Sequence, residues 1–215
     1  MTAGVAMAGR RPTLLRAASA LAVAAALLAA APATAQEPGA QLKASIDRII
    51  RILEDPALKG SAKNAERREA LRKVVGDIYD FDEMSRRTLG PHWRTLTDDQ
   101  RKEFVQLFTE LIETSYITKI ELYNGEPIRY TGNRADGDLA TVSTRLVTKN
   151  GTEIPIDYRM LKRPDRWVVY DVSIEGVSLV NNYRTQFNSV MRSSSYADLA
   201  RKMRERIDQL RSQSS

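Results

Sequence analysis

Along the chain, apolar positions first recur at helical spacing, then alternate, then return to helical spacing. Leu42, Ile46, Ile49, Ile50 and Leu53 mark a helix over 41–53, broken at Pro56 and Gly60. Leu71, Val74, Val75 and Ile78 mark a second over 64–79, and 79–90 reads as a turn and a short helix ending at Gly90. Residues 91–95 form a connector. Thr97, with Gln100 three residues on, has the pattern of a capping box. The helix it opens carries Phe104, Leu107, Phe108 and Leu111 on one face and extends to about Tyr123, before Asn124-Gly125.

Residues 127–133, 138–149, 152–163 and 166–175 are β-rich and are separated by "NRADGD", "KNG" and "RPD", all turn chemistry. Connections this short favour antiparallel hairpins. After Gly176 the chain turns helical to about Met191, and a last amphipathic helix closes it. The pattern predicts an α+β fold: a curved four-stranded antiparallel meander with helices packed on one face, enclosing either a filled core or an apolar cavity.

Alternation in 152–163 sets Ile154, Ile156, Tyr158 and Met160 on one face. In 166–175 it sets Val168, Tyr170, Val172 and Ile174 on one face, and Trp167, Asp171, Ser173 and Glu175 on the other. Val177, Val180, Tyr183 and Phe187 continue the apolar row on the next helix. A core and a lipid pocket have this same signature and differ only in whether the space is filled.

The first 35 residues read as a removable leader. Arg10, Arg11 and Arg16 precede an uncharged run, Ala17 to Ala31, and the small-x-small site Ala33-Thr34-Ala35. The run is about 15 residues, short of the roughly 20 that span a bilayer. Residues 36–215 are then a single exported domain. The net charge of +6 falls to +3 once the three leader arginines are gone, and no block of like charge points to nucleic acid. There is no cysteine, so stability rests on the core.

Catalytic and metal-ligating groups are scarce. His92 is the one histidine, so a histidine metal cluster is ruled out. Gly176-Val177-Ser178 is half of a nucleophile elbow, but Val180 stands where the second glycine belongs. Ser178 reads better as a helix cap, and Asp80, Asp82 and Glu83 as acids at a helix start. An exported serine hydrolase using Ser178 and His92 is the competing reading. There is no nucleotide-binding loop, and no cofactor is expected.

Two segments, Tyr79 to Tyr116 and Tyr158 to Phe187, resemble the MlaC (toluene-tolerance) family of periplasmic phospholipid-binding proteins. The matching elements are Phe81 to Gly90 with Trp93, the helix start Gln100 to Phe104, and Trp167 to Val180 followed by Tyr183-Arg184. The resemblance implies a periplasmic carrier, not an enzyme, that binds phospholipid by its acyl chains. Its implied partners are an inner-membrane ABC transporter complex with a substrate-binding ring protein and an outer-membrane lipoprotein–porin complex. Carriers related to hopanoid genes share the motif, so the lipid class is less secure than the carrier role. On this reading Phe104, Phe108, Leu111, Ile156, Tyr158, Met160, Tyr170, Val172, Ile174, Val177, Val180, Tyr183 and Phe187 line the tail cavity. Arg184 is the candidate for the head group.

Overall fold

The computed structural model describes residues 37–213; the expected leader, 1–35, lies outside them. Among these residues six α-helices accompany one open antiparallel sheet. They are α1 (Pro38–Glu54), α2 (Asn64–Ile78), α3 (Phe81–Leu89), α4 (Asp98–Glu121), α5 (Leu179–Ser193) and α6 (Tyr196–Gln213). The strands are β1 (Ile128–Asp136), β2 (Leu139–Val147), β3 (Glu153–Lys162), β4 (Trp167–Ile174) and β5 (Val177–Ser178), paired in that order. No helix among the described residues is long and apolar enough to cross a membrane.

Side chains fix the helix ends where the sequence placed them. The Thr97 hydroxyl accepts from the Gln100 N–H while the Gln100 side chain accepts from the Thr97 N–H, a complete capping box for α4. The Asp80 carboxylate caps α3 by accepting from the Glu83 N–H at 2.9 Å. Long-range pins then set the layers. The Gln41 side chain of α1 accepts from the Trp167 N–H at 2.9 Å, tying α1 to the start of β4. Glu121, at the end of α4, accepts from both Arg67 and Arg68 of α2.

The sheet has five strands, one more than its pattern predicts. Glu175 and Gly176 both take positive φ, 50° and 81°. Positive φ at both central residues is what a tight type I′ hairpin needs. The chain therefore folds back, pairs Val177 with Ile174 and Ser178 with Ser173, and only then enters α5.

A bulge changes which residues of β4 face the core. Arg159 pairs with Asp171, but Met160 pairs with Val169, which leaves Tyr170 as the extra residue. One inserted residue reverses the alternation on either side of it. Val172 and Ile174 face inward as expected. Trp167 and Val169 take the places expected for Val168 and Tyr170.

The interior divides into two apolar clusters. One lies among the helices, where Met84, Leu89, Phe104, Phe108, Leu111, Phe187, Leu199 and Met203 are buried together. The other lies between α1, α2 and the sheet, and joins Leu42, Ile46, Val74 and Ile78 to Val142, Met160, Val169 and Val172. Tyr79 and Tyr116 pack against both.

Candidate functional site

The residues expected to line a cavity fall on both sides of this division. Phe104, Phe108, Leu111, Val180 and Phe187 are buried in the helical cluster, with Tyr183 half-buried against it. Their rings interlock. Phe104 and Phe108 stack with centroids 5.8 Å apart, and Phe187 stands edge-on to them at 5.7 and 6.0 Å. Tyr183 meets Phe108 edge-on at 5.5 Å. Offset and edge-on geometries are the favoured ones for aromatic pairs.

Met160 and Val172 belong to the sheet-side cluster, with Ile156, Tyr158 and Ile174 half-buried along its margin. Cross-strand pairing stacks them in rows. Ile156 is opposite Ile174, and Tyr158 is opposite Val172. The next strand adds Val142 beside Tyr158 and Thr144 beside Ile156.

Three expected residues sit elsewhere. Tyr170, displaced by the bulge, lies outside both clusters under the Arg87 guanidinium, 4.1 Å from its ring centre. Val177, on the short hairpin, is 60% exposed. Arg184 uses its Nε–H to donate to the Arg87 carbonyl at 2.9 Å, which satisfies a carbonyl near the end of α3.

The phenols around the seam between the clusters are held neutral. Burial pushes Tyr158 up to about 12, partly offset by its hydrogen bond to Thr144. Burial raises Tyr79 further still, and the neighbouring Tyr158 adds to the effect. Burial also raises Tyr116, again with a smaller effect from a neighbouring phenol, Tyr183. Tyr79 and Tyr116, the rings that pack against both clusters, thus bring no charge between them.

Charge at this end of the sheet serves the scaffold. Asp171, 2% exposed, accepts from the Ser178 hydroxyl at 2.7 Å and from the Val180 N–H at 3.0 Å. The Ser178 oxygen in turn accepts from the Asn181 N–H at 3.0 Å as the cap of α5. The hydroxyl is therefore committed in both directions, and none of the hydrogen bonds among the described residues joins it to His92. Glu83 is buried, which pushes its carboxyl up, but hydrogen bonds from Arg86 and Arg87 outweigh this and the net shift is downward. Among the described residues no group of three or more His, Cys, Asp or Glu is arranged to hold a metal.

An open groove of about 490 Å³ runs between α4, α5 and α6. Its floor is Leu111, Tyr116, Tyr183, Phe187, Leu199 and Met203, and its polar lining includes Ser115, Lys119, Gln186, Lys202 and Arg206. Sequence patterning found Leu111, Tyr183 and Phe187 but not the α6 contribution. The last segment reads as an amphipathic helix, and nothing in its pattern says which neighbour that helix meets.

The match to the MlaC protein family model runs over residues 43–205, and the chain belongs to that family. The toluene tolerance protein ttg2D of Pseudomonas putida is 26% identical over 125 residues, 57% of this chain and 58% of that protein. The intermembrane phospholipid transport system binding protein MlaC of Haemophilus influenzae is 23% identical over 128 residues, 57% of this chain and 60% of that one. Each alignment thus spans less than two thirds of the relative's length. A phospholipid-binding protein from Ralstonia solanacearum, solved in complex with a phospholipid, has a similar fold. Its TM-score is 0.72 at 26% identity, over 81% of this chain and 98% of that one.

Proposed function

We propose that the protein is a periplasmic lipid carrier that binds phospholipid by its acyl chains and shuttles it between inner- and outer-membrane complexes. The observation that carries this reading is the similarity, over 81% of the chain, to a protein solved with a phospholipid bound. Membership of the MlaC family supports it. The leader-like residues 1–35 support a periplasmic site of action. The inner-membrane partner on this reading is an ABC transporter complex with a substrate-binding ring protein. The outer-membrane partner is a lipoprotein–porin complex.

The chemistry of the interior suits the task. At about 0.8 kcal/mol per CH₂, two acyl chains exposed to water cost on the order of 20 kcal/mol. A carrier must cover that surface, and it needs apolar walls and no catalyst. On this reading the tails lie in the seam between the two clusters. Ile156, Tyr158, Met160, Val172 and Ile174 line the sheet side; Phe104, Phe108, Leu111, Val180, Tyr183 and Phe187 line the helix side. Neutral phenols at Tyr79, Tyr116 and Tyr158 keep charge away from the chains. Ser178 is a cap, and the reading is non-catalytic.

Native mass spectrometry of protein purified from a Gram-negative host tests this. The expected result is a mass increment that dissociates as intact phospholipid. A hopanoid increment would keep the carrier role and change its cargo. A lipid-free chain that hydrolyses esters would replace the reading with a hydrolase.

A further inference from the structure

The groove between α4, α5 and α6 is lined by three cations and by no carboxylate. Most arginines and lysines of the fold are paired: Arg67, Arg68, Arg72, Arg86, Arg87, Arg101, Arg163 and Arg201 each lie within 4.0 Å of a carboxylate. The three cations lining the groove are not. Lys119, Lys202 and Arg206 have no carboxylate partner among the described residues, and no Asp or Glu lines the groove with them. Lys119 lies 5.0 Å from the Tyr116 ring centre, and Arg206 makes one weak hydrogen bond, to Gln209 at 3.4 Å. Lys202 and Arg206 are four residues apart on one helix, so they project from the same face. Two like charges at that spacing repel each other unless an anion comes between them.

Beneath these cations the floor is apolar. Tyr116 lines the groove and also packs against both internal clusters, so groove and seam meet at this ring. A positive rim over an apolar floor complements an amphiphile with an anionic head. A small free anion would gain nothing from Leu111, Phe187 or Met203. A head group bearing an ammonium beside its phosphate would set that ammonium among three cations.

We infer that this groove receives the head group of a net-anionic phospholipid, with Lys119, Lys202 and Arg206 around the phosphate and the chains passing Tyr116 toward the seam. The inference rests on the carrier reading and adds a selectivity to it. It moves the head-group site from Arg184, whose Nε–H is already used, to the α4–α6 surface.

The test loads the delipidated chain, residues 36–215, from vesicles of phosphatidylglycerol or of phosphatidylethanolamine mixed with phosphatidylcholine, and quantifies lipid extracted from the re-isolated protein. The expected result is a preference of about tenfold for phosphatidylglycerol at low salt, shrinking as salt rises. The double variant Lys202→Gln/Arg206→Gln should bring the ratio near one. Arg201→Gln, on the same helix but off the groove, should leave it unchanged. Circular dichroism verifies that each variant is folded. Equal loading of both lipids by the unaltered chain, or a preserved preference in the folded double variant, overturns the inference and leaves the carrier standing. Loading of neither lipid removes the carrier reading itself. Glycerol phosphate added as competitor separates a lipid site from an anion site. No competition below about a hundredfold excess supports the amphiphile, since the apolar floor contributes to its binding. Competition at equal concentration reduces the groove to a simple anion site and overturns the inference.

Discussion

The two apolar clusters are built on different principles. The helical cluster is aromatic and interlocked: Phe104 and Phe108 are fully buried, and each touches Phe187. The sheet-side cluster is mainly aliphatic, with a half-buried margin that includes Ile49, Ile50, Ile128, Ile156, Tyr158 and Ile174. Interlocked rings leave little freedom to shift, because moving one breaks several close contacts at once. A margin of aliphatic side chains already in contact with solvent can part at lower cost. On the proposed reading, the helix side supplies stability and the sheet-side wall is the one that yields to lipid.

The largest expected effect separates the two. Phe108→Ala removes a ring from the centre of the aromatic cluster and should cost about 3–5 kcal/mol in urea denaturation. Ile156→Ala, on the sheet margin, should cost less than half of that and should lower bound lipid more than it lowers stability. Equal stability losses would erase the distinction between the clusters.

The joint between the regions should respond next. Asp171 holds α5 to β4 through Ser178 and the buried Val180 N–H. Asp171→Ala leaves that N–H without a partner, and a loss of about 1–3 kcal/mol is expected from the same denaturation curves. Wild-type stability in this variant would mean that α5 is held by packing alone.

Alkaline pH probes the sheet side specifically. The folded pKa of Tyr158 is raised, to about 12, above the roughly 10 of an unfolded tyrosine. The unfolded chain therefore loses its proton first. The stabilisation is fully present below pH ~10 and is lost at about 1.4 kcal/mol per pH unit as pH rises toward the folded value. Tyr158→Phe should flatten the part of that decline between pH 10 and 12 that Tyr158 causes. An unchanged slope would show that this phenol ionises freely in the folded protein.

The smallest effect lies away from both clusters. Thr97→Ala removes one half of the capping box and should cost about 1 kcal/mol of thermal or chemical stability. Lipid uptake should be unchanged. A loss of uptake would tie the start of α4 to cargo binding, which its exposed position does not suggest.

Local patterns make much of this legible in the sequence. The capping box at Thr97, the helical spacing of Phe104, Phe108 and Leu111, and the turn residues between strands are short-range signals, and each lies where the sequence put it. The misplaced features depend on partners distant in sequence. Whether β4 bulges at Tyr170 is decided by its pairing with β3, and strict alternation has no means of marking an extra residue. The fifth strand depends on Glu175 adopting a positive φ, which glutamate seldom does. The cationic groove needs α4 and α6 side by side, with Lys119 brought to Lys202 and Arg206 across more than eighty residues of chain.

Transfer of phospholipid between two populations of vesicles tests the central claim most directly. Fluorescently labelled phospholipid in donor vesicles is mixed with unlabelled acceptors and increasing amounts of the chain without residues 1–35. The account predicts a transfer rate that rises in proportion to protein concentration, with labelled lipid recovered on the protein itself. A rate that stays at the spontaneous level, with no lipid on the re-isolated folded protein, would contradict it.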